Sequence, residues 1–268
     1  MKYIITLVAL SLLLQAQVYI NWQTPIVKDT HDAQGHSGRK AKQFEVNNCD
    51  YEADTLVYYL LPTLEKKNLS FEHGLVSLPH TGMDNYHALV ISQAKGNSVY
   101  SSIHYIYSHG KPSRTSPTKI TQMQKSDLEI APILLPREHD RYTGSDSYDF
   151  ELRFKGKAVA QNSITFTTSN GTKESFQSDA KGSFRVTMPN DFKDVQNSRH
   201  KNKPAEFILA ATYSDQNITY TTTLAMPYHV NPVDYWQSRE LGLIILIIGL
   251  VLGLYLLRNI NKKKKRRV

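Results

Sequence analysis

The stretch 148–189, YDFELRFKGKAVAQNSITFTTSNGTKESFQSDAKGSFRVTMP, decides the fold. Its first seven residues put Tyr148, Phe150, Leu152 and Phe154 on one face and Asp149, Glu151 and Arg153 on the other, the period of a half-buried strand with a solvent face. KGK then turns the chain. SITFTTS, KESFQS and SFRVTMP follow as strands, separated by NGT and DAKG, whose Asn170-Gly171 and Lys181-Gly182 tolerate positive φ. After a polar loop over 190–204, AEFILAATY and ITYTTTLAM form a further pair joined at SDQN. About six strands with regular turn signals are the pattern of a small Ig-like β-sandwich, assigned to residues 126–232.

Upstream, residues 17–125 read as a smaller β-rich domain. Residues 17–41 are mostly loop apart from INWQTPIV, and KQFEV starts a strand. TLVYYLL fits either a buried strand or a helical face, and Pro62 ends it in both cases. HALVISQAKGNSVYSSIHYIYSHG reads as a hairpin turning at KGNS. HGKPSRTSPTK, residues 109–119, is a connector and the expected boundary region. The fold class is therefore mainly β.

The two ends of the chain set its expected location. LGLIILIIGLVLGLYLL, residues 241–257, has 17 residues without charge or proline, the short end of a membrane span. Tyr235, Trp236 and Tyr255 suit its interfaces. The tail 258–268, RNINKKKKRRV, holds seven Lys or Arg and marks the cytoplasmic side. Residues 1–16 have one cation, Lys2, an apolar run and a small Ala16, the form of a signal peptide. The expectation is a single-pass protein of a bacterial inner membrane, its bulk in the periplasm and its C-terminus in the cytoplasm.

Removing Lys2 and the seven tail cations leaves 24 of 32 positive residues against 24 Asp and Glu. The exported part is formally neutral, so nothing in it calls for nucleic acid as a partner. The single cysteine, Cys49, excludes an intrachain disulfide and suits a periplasmic domain that relies on its core. The sequons at Asn68, Asn170 and Asn217 matter only in a eukaryotic host.

Over residues 127–226 the sequence resembles a bacterial family of periplasmic proteins related to the extracytoplasmic components of nickel and cobalt uptake systems of the energy-coupling-factor type. The residues carrying the likeness are Leu128, Glu129, Pro132, Pro136, Tyr142, Gly144, Gly156, Lys157, Asp179, Gly182, Pro189, Tyr213 and Leu224. It is similar, more loosely, to the transthyretin-like regulatory domain of carboxypeptidases. The resemblance implies an accessory or substrate-capture component of metal uptake, with integral-membrane permease subunits as partners. The family's N-terminal His before Trp-x-x-Pro is replaced here by Tyr19, ahead of Trp22 and Pro25.

Imidazole suits nickel and cobalt. His80, Asp84 and His87 fall within eight residues in HTGMDNYH, and His31 and His36 sit in HDAQGHSGRK beside Asp29 and Asp32. These five, His80, Asp84, His87, His31 and His36, are the candidate ligands for transiently bound metal, with no resident cofactor implied. His104 with His109, and Glu138-His139-Asp140, are lesser groupings, and none has the spacing of a specific motif such as H-E-x-x-H. GHSG lacks a nucleophile elbow, and no phosphate loop or thiol pair is present, so the sequence does not read as an enzyme. The rival reading is a structural or protein-interaction module of the envelope that binds no metal.

Overall fold

The computed structural model describes residues 21–23, 42–50, 54–137, 141–235 and 239–265. The chain is mainly β. Its elements in order are β1 (Asn21–Gln23), β2 (Lys42–Asn47), β3 (Asp54–Leu60), β4 (Lys66–Asn68), β5 (Phe71–Glu72), β6 (Leu75–Leu78), β7 (Met83–Lys95), β8 (Ser98–Ser108) and β9 (Lys111–Pro112). A short helix α1 (Pro117–Gln122) precedes β10 (Leu128–Pro132), β11 (Tyr142–Thr143), β12 (Ser147–Phe154), β13 (Lys157–Ala158), β14 (Ser163–Thr168), β15 (Lys173–Gln177) and β16 (Ser183–Thr187). Then come β17 (Ala205–Asp215), β18 (Ile218–His229), α2 (Pro232–Tyr235) and α3 (Arg239–Lys265).

One large sheet runs β15-β14-β17-β18-β8-β7-β3-β4, with β11 added on β18 and β9 on β7. A small sheet of β10, β12, β13 and β16 covers one face, and a sheet of β1, β2, β6 and β5 lies over the other. Alternation along the central strands fills both interfaces. Tyr58, Leu60, Ala88, Val90, Ile103 and Tyr105 join the first core with Phe150, Leu152, Phe166, Phe207 and Leu224. Val57, Tyr59, Leu61, Leu89, Ile91 and Ile106 join the second with Trp22, Phe44 and Val76. Trp22 is fully buried, and its indole N–H donates to Ser102 O at 3.1 Å.

The expected strands of the sandwich all form. Two-residue turns close β12 to β13 at Lys155-Gly156 and β17 to β18 at Gln216-Asn217, with all four residues at positive φ, the backbone that matches strand twist. Gly182 sits at φ 76°, and a Cβ there would lie 2.7 Å from Leu152 O, so the turn at DAKG admits only glycine comfortably. The expected split at residue 125 does not separate two cores. β8 pairs in parallel with β18, from Thr219↔Ser98 to Leu224↔Ile103, so the hairpin read as part of an N-terminal domain extends the sandwich sheet itself. The physical reason is that β8 and β18 are buried on both faces, Ser102, Thr222 and Thr223 included, so the backbone N–H and C=O groups along their edges lie away from water and must be paired.

The segment expected to cross a membrane is helical. Among the described residues, however, no helix is long and apolar enough to cross one. The uncharged run of 17 residues gives about 25 Å of helix against a hydrocarbon core of about 30 Å. From Leu243 to Leu257 its large apolar side chains are exposed.

Candidate functional site

The histidine segments are brought together only in part. His87 on β7 is buried, its Nδ1–H donating to Asn85 O at 3.2 Å and its Nε2 accepting from the Thr81 hydroxyl at 2.8 Å. Burial lowers its pKa, so it is a neutral, satisfied imidazole. Asp84 is three residues away on the same strand and faces elsewhere. It accepts from the Tyr107 hydroxyl at 3.1 and 3.2 Å and lies 4.0 Å from His109 Nδ1. His80 is exposed ahead of the strand. The set His80, Asp84 and His87 is thus not one constellation. Among the described residues no group of three His, Cys, Asp or Glu converges on a metal position. His31 and His36 lie outside the described residues, as do Asp29, Asp32 and residues 138–140. His104 is buried, its ring against Phe44 and its Nδ1–H donating to Ala225 O at 2.6 Å, while His109 is exposed.

A buried ionic cluster lies beneath α1. The Glu129 carboxylate accepts from Arg153 Nη2 at 2.6 Å and lies 3.3 Å from Lys125 Nζ. Arg153 Nη2 also reaches Thr121 O at 2.6 Å, and Lys125 Nζ reaches Ile120 O at 3.1 Å and Met123 O. Tyr58 OH donates to Lys125 O. Burial pushes the Lys125 pKa down to about 8, opposed by the Glu129 charge. The two cations satisfy the free carbonyls at the C-terminus of α1, which explains their place in the core. Arg153 is therefore a departure from the expected solvent face of β12, whereas Asp149 on that face does pair with exposed Arg185 at 2.7 and 2.9 Å. Its signal in the sequence was Glu129 inside an otherwise apolar strand, which demands a buried cation.

A cleft of about 840 Å³ lies at the end of β18. Arg137, Arg141, Arg199 and His229 line it, with Tyr148 and Tyr235. Parallel pairing of β11 with β18 sets Thr143 beside His229, and Gly144 N–H donates to His229 O at 2.9 Å. Asn231 Nδ2 donates to Gly144 O at 2.9 Å, and Tyr148 OH donates to Arg141 O at 3.0 Å. Arg141 Nη1 lies against the imidazole of His229, 3.4 Å from Nδ1 and 3.5 Å from Nε2. Burial, then Arg141 and Arg199, push the His229 pKa down to about 4. Burial and the neighbouring Arg199 lower that of Arg141. Asp146 also lines the cleft, its carboxylate accepting from the Thr143 hydroxyl. Sequence reasoning missed this site, because its arginines are spread over 137–199 and only the fold gathers them.

No protein-family model and no curated protein matches the chain. Among solved structures it is similar to a Ca²⁺-stabilised adhesin with which an Antarctic bacterium binds ice, at 12% identity over 80% of this chain, with a TM-score of 0.26. The chain spans about half of that adhesin, 49%. It is similar to the D0–D1 domain of intimin at 14% identity over 70% of this chain and 91% of that one, TM-score 0.24. A two-domain fibronectin type-III segment of chicken tenascin follows at 8% identity, 70% and 92% coverage and a TM-score of 0.23. Likenesses at these levels carry no argument about activity or partners, and the sandwich architecture rests on the strand pairing itself.

Proposed function

We propose that the protein is an extracytoplasmic β-sandwich module held at a bacterial inner membrane by α3, serving as an accessory binding subunit beside integral-membrane partners. The observation that carries this reading is α3 itself. Its apolar side chains from Leu243 to Leu257 are exposed, and a basic tail follows. Water disfavours such a surface by about 25 cal/mol per Å². A bilayer accommodates a run this short by local thinning and by flanking Lys and Arg reaching to the interface. The narrower reading, capture of nickel or cobalt for a permease, draws on the family resemblance, on the Asp84–His109 pair and on His31 and His36. The anchored-module reading needs none of these.

The test is topological. A reporter enzyme fused after Val268 should act as cytoplasmic and one inserted at Asn190 as exported. The full chain should resist alkaline extraction from membranes, and a chain ending at Ser238 should be released. An Asn190 reporter found inside the cell, or full chain that washes off, defeats the proposal.

A further inference from the structure

The cleft at the end of β18 combines two chemistries. Arg137, Arg141 and Arg199, all three exposed, line it. Apolar side chains line it as well: Leu134 and Val233, 68% and 60% exposed, with Leu135 and Pro136. Like charges gathered in a partly desolvated cleft repel, and an anion relieves that repulsion. Guanidinium forks match the oxygens of a phosphate, bidentate and at fixed geometry. His229, neutral against Arg141, adds a hydrogen-bonding ring without adding charge. Asp146 lines the cleft too and keeps its charge while accepting from the Thr143 hydroxyl, so three guanidinium groups stand against one lining carboxylate; Asp234 accepts from Asn190 Nδ2 at 3.1 Å. A volume of about 840 Å³ exceeds what a free phosphate fills. Exposed Leu134 and Val233 would face acyl chain or glycerol rather than water. Tyr235 lines the cleft and α3 begins at Arg239. Four residues span at most about 14 Å, so the cleft lies within that reach of the helix start.

We infer that this cleft binds a phosphate ester, the headgroup of an anionic lipid in the leaflet where α3 enters. The source of the phosphate rests on the anchoring reading; the anion site does not. The lipid seats the domain against the membrane and fixes which face it turns to its partners.

Two arms separate the possibilities, both with the full chain. In neutral detergent, calorimetry with glycerol phosphate should show saturable binding that weakens with salt. Arg141→Gln with Arg199→Gln should weaken it at least tenfold, and Arg185→Gln, in the exposed pair with Asp149, should not. In nanodiscs, phosphatidylglycerol should slow hydrogen exchange over 141–146 and 229–235 relative to phosphatidylcholine, and the double variant should abolish the difference. If the double variant misfolds, Arg199→Gln alone and the salt dependence give the reading. Glycerol phosphate binding without a lipid effect overturns the lipid source and leaves a site for soluble phosphate esters. No binding in either arm overturns the site. Failure of the anchor alone, seen as full chain washed from membranes, leaves the first arm intact.

Discussion

His104 lies wholly inside the protein, with one ring nitrogen bonded to Ala225 O, and burial pushes its pKa down to about 4. Its unfolded value is near 6.5. Between those two values the unfolded chain binds the proton and the folded chain does not, so stability is full above pH 6.5 and is lost as pH falls toward 4. The loss from this one group is roughly 3 kcal/mol at 1.36 kcal/mol per unit. His87 shifts in the same direction through burial, and His229 reaches about 4. Urea unfolding followed from pH 7 to pH 4.5 should show a falling midpoint, and a flat profile would refute the buried neutral imidazoles. His87 also decides the fate of one metal set. With both nitrogens bonded, His87→Ala should lower stability by about 1–3 kcal/mol and leave the heat of Ni²⁺ or Co²⁺ titration as in the parent. Loss of that heat in the variant would restore His80, Asp84 and His87 as a site. Loss only when His31 and His36 are both changed to Ala would assign capture to the N-terminal segment.

At the scale of elements, alternation was legible wherever a strand has one wet face. The segment YDFELRF became β12 and SITFTTS became β14 within a residue or two of the expected bounds. TLVYYLL stayed open between helix and strand because β3 has cores on both sides. Tyr58 and Leu60 face one, Val57 and Tyr59 the other, and the period vanishes. The connector 109–119 hid α1, although Ser116 caps it, its hydroxyl accepting from Thr118 N–H, and Pro117 begins it, the usual start signal of a helix. A helix of six residues carries too little periodicity to stand out. Lys125 and Arg153 hold it down from below, which the polar face of β12 gave no reason to expect.

For the whole molecule, the large sheet ties the N-terminal strands to the sandwich, with β8 against β18 and a common core on one face. Trp22 reports on the opposite core, against Phe44 at 6.3 Å between ring centroids. In a Trp236→Phe background, with the full chain in mild detergent, Trp22 fluorescence and far-ultraviolet circular dichroism should therefore trace one coincident urea transition. An earlier Trp22 transition would mean that the N-terminal part unfolds by itself. The sequence alone determined the β class, the sandwich strands, their glycine-bearing turns and the uncharged run before a basic tail. These follow from local period and local φ preferences, which act within a few residues. Tertiary structure alone decided that β8 joins β18 across some 120 residues of sequence, that His87 is sealed, and that Arg137, Arg141, Arg199 and His229 share a cleft. Those outcomes depend on which strand edges find partners. Each strand carries the same backbone donors and acceptors, so its pattern shows that an edge must be paired but not with which strand.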